Sequence, residues 1–125
     1  MKPESKFWAE VKKKLPTISF VRLESWASAG VPDLLCYTET KGFFTIELKV
    51  TASKKITFSP HQIAFHTRHP NGSYILVKTP GPRSPNLYPG SAIQELVSKG
   101  TDHAPLIEGW DQLKKFFPTQ GGVSL

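Results

Sequence analysis

Phe7, Trp8, Val11 and Leu15 recur at helical spacing until Pro16 interrupts them, which predicts an amphipathic helix over residues 4–15 with Glu10 and Lys12 to Lys14 on its other face. Residues 17–23 are rich in β-branched and apolar side chains and predict a strand, followed by Ala-Ser-Ala-Gly loop material up to Pro32. A second strand is expected from about Asp33 through Tyr37, and the polar stretch ending in Gly42 forms a hairpin turn into Phe43-Phe44-Thr45-Ile46-Glu47-Leu48-Lys49-Val50. That run alternates, so Phe44, Ile46, Leu48 and Val50 share an apolar face while Phe43, Thr45, Glu47 and Lys49 share the other. Ser59-Pro60-His61-Gln62 carries an N-cap, a proline at the first helical position and a glutamine at the third, a capping box that opens a helix to about His69. Residues 73–78 read as a fourth strand, 79–90 as a proline-rich loop, 91–98 and 109–117 as short helices, and 121–125 as a mobile tail.

The 125 residues suit one domain, and a hydrophobic fraction of 38% supplies a core. No apolar run is long enough for a membrane span or a secretory leader, and the lone Cys36, set among apolar neighbours, reads as a buried inert thiol in a reducing, cytoplasmic setting. A net charge of +6 favours a polyanionic partner. The clusters Lys12 to Lys14, Lys54-Lys55 and Lys114-Lys115 read either as solvated faces or as phosphate contacts, with Arg22, Arg68 and Arg83 as further candidates. His61, His66, His69 and His103 lack the spacing of a transition-metal site and are expected on the helix surface or against a DNA backbone.

Glu47 and Lys49 project the same way from a strand whose other face is committed to the core. If the strands at 33–37 and 43–50 pair as a hairpin, Asp33 approaches Glu47. Two neighbouring carboxylates repel unless a cation intervenes, and a hard divalent ion such as Mg²⁺ suits oxygen ligands. A lysine beside them can orient an attacking water and offset charge developing on a phosphate, which is the chemistry of phosphodiester hydrolysis.

Gly30-Val31-Pro32-Asp33-Leu34, Glu47-Leu48-Lys49 and Ser59-Pro60-His61-Gln62, in that order, resemble the PD-(D/E)XK nuclease superfamily. Within it they look like the small, often phage-borne branch related to VRR-type nucleases and Holliday-junction resolvases, over about residues 4–78. The resemblance implies an α/β fold with a restriction-endonuclease-like core, a central mixed β-sheet flanked by helices in the order αβββαβ. Residues 79–125 would extend a single nuclease domain. In the family a glutamate on the first helix commonly completes the metal site. Glu4 shares the stripe of Phe7, Trp8, Val11 and Leu15, whereas Glu10 falls on the far, lysine-rich side, so the role is carried onto Glu4.

By this resemblance Glu4, Asp33, Glu47 and the main-chain carbonyl of Leu48 bind Mg²⁺ or Mn²⁺, Lys49 positions the water, and Gln62 supports the site beside its capping role. Arg22, Lys54, Lys55 and Arg68 are the expected nucleic-acid contacts, and Trp26 either stacks on a base or packs over the core. Where the VRR branch has Val-Arg-Arg, this chain reads Val21-Arg22-Leu23-Glu24, leaving Arg22 alone to face a phosphate. The expected activity is a metal-dependent endonuclease acting on branched DNA as a homodimer. A nuclease of linear or single-stranded DNA and a non-catalytic DNA-binding module stand as alternatives.

Overall fold

The computed structural model describes residues 3–23, 29–79 and 84–118; the expectations for Trp26, Arg83 and the tail at 121–125 fall outside the described residues. Its first helix, α1 (Pro3–Lys14), is followed by strands β1 (Ser19–Arg22), β2 (Leu34–Thr38) and β3 (Gly42–Val50), helix α2 (Pro60–Arg68) and strand β4 (Ser73–Lys78). Beyond this αβββαβ core come β5 (Asn86–Pro89), α3 (Ile93–Lys99), β6 (Ile107–Glu108) and α4 (Trp110–Phe116). The six strands form one mixed sheet in the order β1-β2-β3-β4-β5-β6, with β3 and β4 parallel and the other neighbours antiparallel.

Helices cover both faces of this sheet. On one side Phe7, Val11 and Leu15 from the α1 segment and Leu113 and Phe117 from the α4 segment pack on Leu34, Cys36, Phe44, Ile46, Leu48, Leu76 and Leu87. The apolar face foreseen for β3 lies here, and Trp8 meets Phe20 edge to face at 5.2 Å. On the other side Ile63 of α2, Ile93 and Leu96 of α3, and Ile56 close over Ile75, Val77 and Tyr88. This second layer leaves Phe43 exposed and Tyr37 partly so, the two rings 4.9 Å apart on the outer part of the sheet.

The proline-rich stretch expected to be a loop contains β5. Leu87 and Tyr88 are fully buried, and the strand pairs with β4, which would otherwise present a bare edge. Pro89 stands at the end of the strand, where an N–H is dispensable, so the prolines frame the strand instead of abolishing it. The two-residue β6 was equally absent from the sequence pattern; it pairs with β5 and leads directly into α4.

Candidate active site

The hairpin register brings the first two acids together. Leu34 faces Ile46 and Leu35 faces Thr45, so continuing the same register by one residue sets Asp33, just ahead of β2, opposite Glu47. Asp33 Oδ2 accepts the main-chain N–H of Leu48 at 2.8 Å, extending the ladder just ahead of where β2 begins. Because the N–H and C=O of one strand residue leave by the same edge, the carbonyl of Leu48 also faces the start of β2.

The preceding turn is held by Gly30, whose φ is +81°; a Cβ there would lie 2.4 Å from the main-chain oxygen of His61 at the start of α2. Gly30→Ala is therefore expected to cost at least about 2 kcal/mol, from the left-handed conformation and the clash with backbone that cannot step aside. Urea unfolding with an unchanged m-value would check this, and a loss below 0.5 kcal/mol would contradict it.

Glu47 is only 2% exposed. Burial pushes its carboxyl up to about 9, helped by the charge of Asp33; Lys49 pulls the other way, and Glu4 adds the last upward push. Gln62 ties the site to α2. Its Nε2 donates to Glu47 Oε2 at 3.3 Å, and its Oε1 accepts both Lys49 Nζ and the Ser59 N–H at 2.9 Å. With Ser59 Oγ accepting the Gln62 N–H at 3.1 Å, the capping box is complete and the same amide bridges the carboxylate and the lysine. Lys49 Nζ also lies 5.0 Å above the ring of Phe58.

The structure thus brings Asp33, Glu47, Leu48, Lys49 and Gln62 together. Glu4, exposed in the first turn of α1, acts on Glu47 through its charge, but no group of three or more His, Cys, Asp and Glu side chains among the described residues is drawn close enough to hold a metal ion. Glu10 does not lie on the lysine-rich outer face as expected. It sits on the flank of α1 and pairs with Lys78 of β4, about a quarter turn from the buried stripe. Two flanks of a helix differ in what they approach, and helical periodicity alone does not distinguish them.

His66 corrects a second expectation. It lies inside the protein, wholly buried on the face of α2 that meets the sheet, with Nε2 3.9 Å from Glu47 Oε1 and Nδ1 3.2 Å from Ser73 Oγ. Burial first, then the charges of Lys49 and His69, push its pKa down to about 4, so the ring is neutral near pH 7. The signal was available: His66 falls four residues after Gln62 and three after Ile63, on the face that the glutamine commits to the site. Cys36, by contrast, is in the core as anticipated, and burial pushes its thiol far upward, away from reactivity.

The proposed backbone contacts are dispersed. Arg22 ends the edge strand β1, Arg68 is in the last turn of α2, and Lys54 and Lys55 follow β3; all are exposed. Lys54 pairs with Asp102 at 3.4 Å, with both side chains largely in solvent, so the pair contributes little to stability. Two lysine clusters far apart in sequence converge at the C-terminal end of α1, where Lys13, Lys14 and Lys114 line a cleft of about 370 Å³.

No protein-family model and no curated protein sequence matches the chain. Among solved structures it is similar to that of Archaeoglobus fulgidus Hjc, described as a Holliday junction resolvase from an archaeal hyperthermophile. The TM-score is 0.56 with 16% identical residues, covering 72% of this chain and 75% of the archaeal one. The fold is therefore the restriction-endonuclease-like α/β fold of that resolvase, with a central sheet flanked by helices. No helix among the described residues is long and apolar enough to cross a membrane.

Proposed function

We propose that the protein is a divalent-cation-dependent DNA endonuclease, selective for branched DNA such as a four-way junction. The observation that carries this reading is the convergence of Asp33 and Glu47 beside a lysine tethered by Gln62, on a resolvase-like fold. The donor set fits a hard cation. Glu47 Oε1 is buried with no hydrogen-bond partner, Asp33 adjoins it, and the Leu48 carbonyl faces the same gap. Mg²⁺ is commonly held by one or two carboxylates with water and substrate phosphate completing its shell, so a compact three-acid cage is not required. Asp33, Glu47 and the Leu48 carbonyl would hold Mg²⁺ or Mn²⁺, with Glu4 approaching once the cation draws it in. Such an ion supplies Lewis-acid polarisation of the scissile phosphate and lowers the pKa of water.

The chain's own groups do the rest. Lys49 has three N–H donors, of which Gln62 takes one, leaving two to orient the attacking water and offset charge gathering on the phosphate oxygens. Gln62 holds carboxylate and ammonium in fixed relation, so little reorganisation accompanies the reaction. The water oxygen bonds to phosphorus and releases a proton as the bond to the leaving sugar oxygen breaks, and that oxygen takes a proton up, so that one water is added overall. Each chain carries one such site, and a junction needs two symmetric cuts, so the active species is proposed as a homodimer. Arg22, Lys54, Lys55 and Arg68 would meet phosphates along the DNA arms.

Purified protein incubated with labelled four-way junction, flap, linear duplex and single-stranded DNA, with Mg²⁺, Mn²⁺ or EDTA, tests the reading. Paired symmetric cuts in the junction, with little duplex cutting and none in EDTA, are expected. Equal cutting of linear or single strands would favour the broader nuclease, and binding with no cleavage under any condition would leave only a DNA-binding module. In the same assay Glu4→Gln is expected to slow cleavage by roughly tenfold or more, as loss of a supporting ligand does. Glu10→Gln breaks the pair with Lys78 and should leave the rate of the folded protein within about twofold. Equal effects would remove Glu4 from the site.

A further inference from the structure

Behind Glu47 lies a chain of buried polar groups that the catalytic scheme does not use. Glu47, His66 and Ser73 are each at most 2% exposed. Ser73 Oγ donates its single proton to the main-chain oxygen of His69 at 2.6 Å. Its oxygen can then only accept from the imidazole, 3.2 Å away, which requires the proton of His66 to be on Nδ1. Nε2 of the neutral ring is consequently a bare lone pair, and it points at Glu47 Oε1 from 3.9 Å. Neither of these two atoms has a hydrogen-bond partner. The space around the hydroxyl is closed as well, since a Cβ on Gly90 would lie 2.0 Å from Ser73 Oγ.

We infer that Ser73 and His66 form a tautomer lock that denies Glu47 Oε1 a hydrogen-bond donor from within the protein and so keeps it open as a cation ligand. A histidine with its proton on Nε2 would donate to the carboxylate, and that bond would have to break before a cation could bind. Holding the proton on Nδ1 removes this donor, so that a cation has only the carboxyl's own proton to displace. The oxygen then stays without a partner at the cost usual for a buried polar atom, and a cation relieves it. His66 is thus a positioning residue acting through Glu47. The inference deepens the nuclease reading and rests on it for the identity of the ligand.

Long-range ¹H–¹⁵N correlation of the histidine side chains in the full-length, metal-free protein reads the tautomer directly, with the His66 signals assigned by their loss in a variant. Protonated Nδ1 and bare Nε2 are expected, with a shift toward protonated Nε2 in Ser73→Ala. Calorimetric titration with Mn²⁺ supplies the second readout. Two amides mimic the two tautomers. His66→Asn places its nitrogen near the Nδ1 position and should retain affinity within about twofold, whereas His66→Gln reaches the Nε2 position and, like Ser73→Ala, should weaken Mn²⁺ roughly tenfold. Equal Mn²⁺ affinity in His66→Gln and His66→Asn, or a wild-type ring protonated on Nε2, would overturn the lock. The nuclease reading fails separately: Mn²⁺ affinity that follows the tautomer in a protein that cleaves no DNA would retire the enzyme and leave the lock.

Discussion

Asp33→Asn and Glu47→Gln are each expected to lower the rate of DNA cleavage on the order of 10²–10³-fold or more while the chain stays folded. Each substitution removes one of two carboxylates that lie close together at the start of β2, and neither amide can replace the lost charge toward a cation. Asp33→Asn also weakens the bond that the Leu48 N–H makes, because an amide oxygen is a poorer acceptor than a carboxylate. Lys49→Met, by contrast, should slow the chemical step while leaving cation affinity close to that of the wild type. Initial rates at saturating Mg²⁺, alongside calorimetric cation binding, distinguish these roles. An acidic variant that keeps its rate within tenfold of the wild type would show that the carboxylate pair is not the catalytic centre.

Glu47→Gln is also expected to stabilise the metal-free protein, raising its melting temperature at pH 8 on the order of 5–10 °C. The carboxyl titrates at about 9 in the fold against an ordinary value of 4.5. A group raised in this way contributes stability fully below its unfolded value and loses it as the pH climbs through the folded one. Between pH 7 and 9 the metal-free wild type should therefore lose at most about 1.4 kcal/mol per pH unit from this group. His66 does not obscure the trend, because its folded value of about 4 lies below its ordinary 6.5, so its contribution is complete above that pH and lost only on acidification. Thermal denaturation across this range should show a falling wild type and a nearly level Glu47→Gln, with saturating Mg²⁺ closing the gap between them. A variant less stable than the wild type at pH 8 would contradict the assignment of strain to Glu47.

Together these expectations describe a site that is costly to fold without its ligand, as functional sites often are. The carboxylate is driven into the interior beside a second acid and behind a bare imidazole nitrogen, while the capping amide of α2 fixes its outer oxygen. Apart from Lys49, little inside the protein offsets its charge once it ionises. A cation followed by the phosphate it attracts would do so.

Much of this was legible in the chain because it depends on near neighbours. The alternation of β3 determines which side chains face the core, and a turn between Thr38 and Gly42 sets a register that carries Asp33 opposite Glu47. The capping box at Ser59 likewise depends on four consecutive residues. β5 was hidden for the opposite reason: Leu87 and Tyr88, set between prolines, form a strand only because β4 offers an edge to pair with. A histidine carries no sign in a hydropathy pattern, so the burial of His66 was legible only through its spacing of four from the capping Gln62, and what stands across from it completes the reason.

Short-range periodicity and sterics are enough to account for the αβββαβ succession, for the inward and outward faces of β3, and for two acids and a lysine standing on neighbouring strands. Only the tertiary structure decided that Gln62 joins Glu47 to Lys49, that Glu4 stands outside contact, that Glu10 is taken by Lys78, and that Ser73 sets the tautomer behind the site. Those relations join groups on different elements to within a few tenths of an ångström. They exist only once the helices have closed over the sheet, because close packing, not local chain preference, sets distances of that kind.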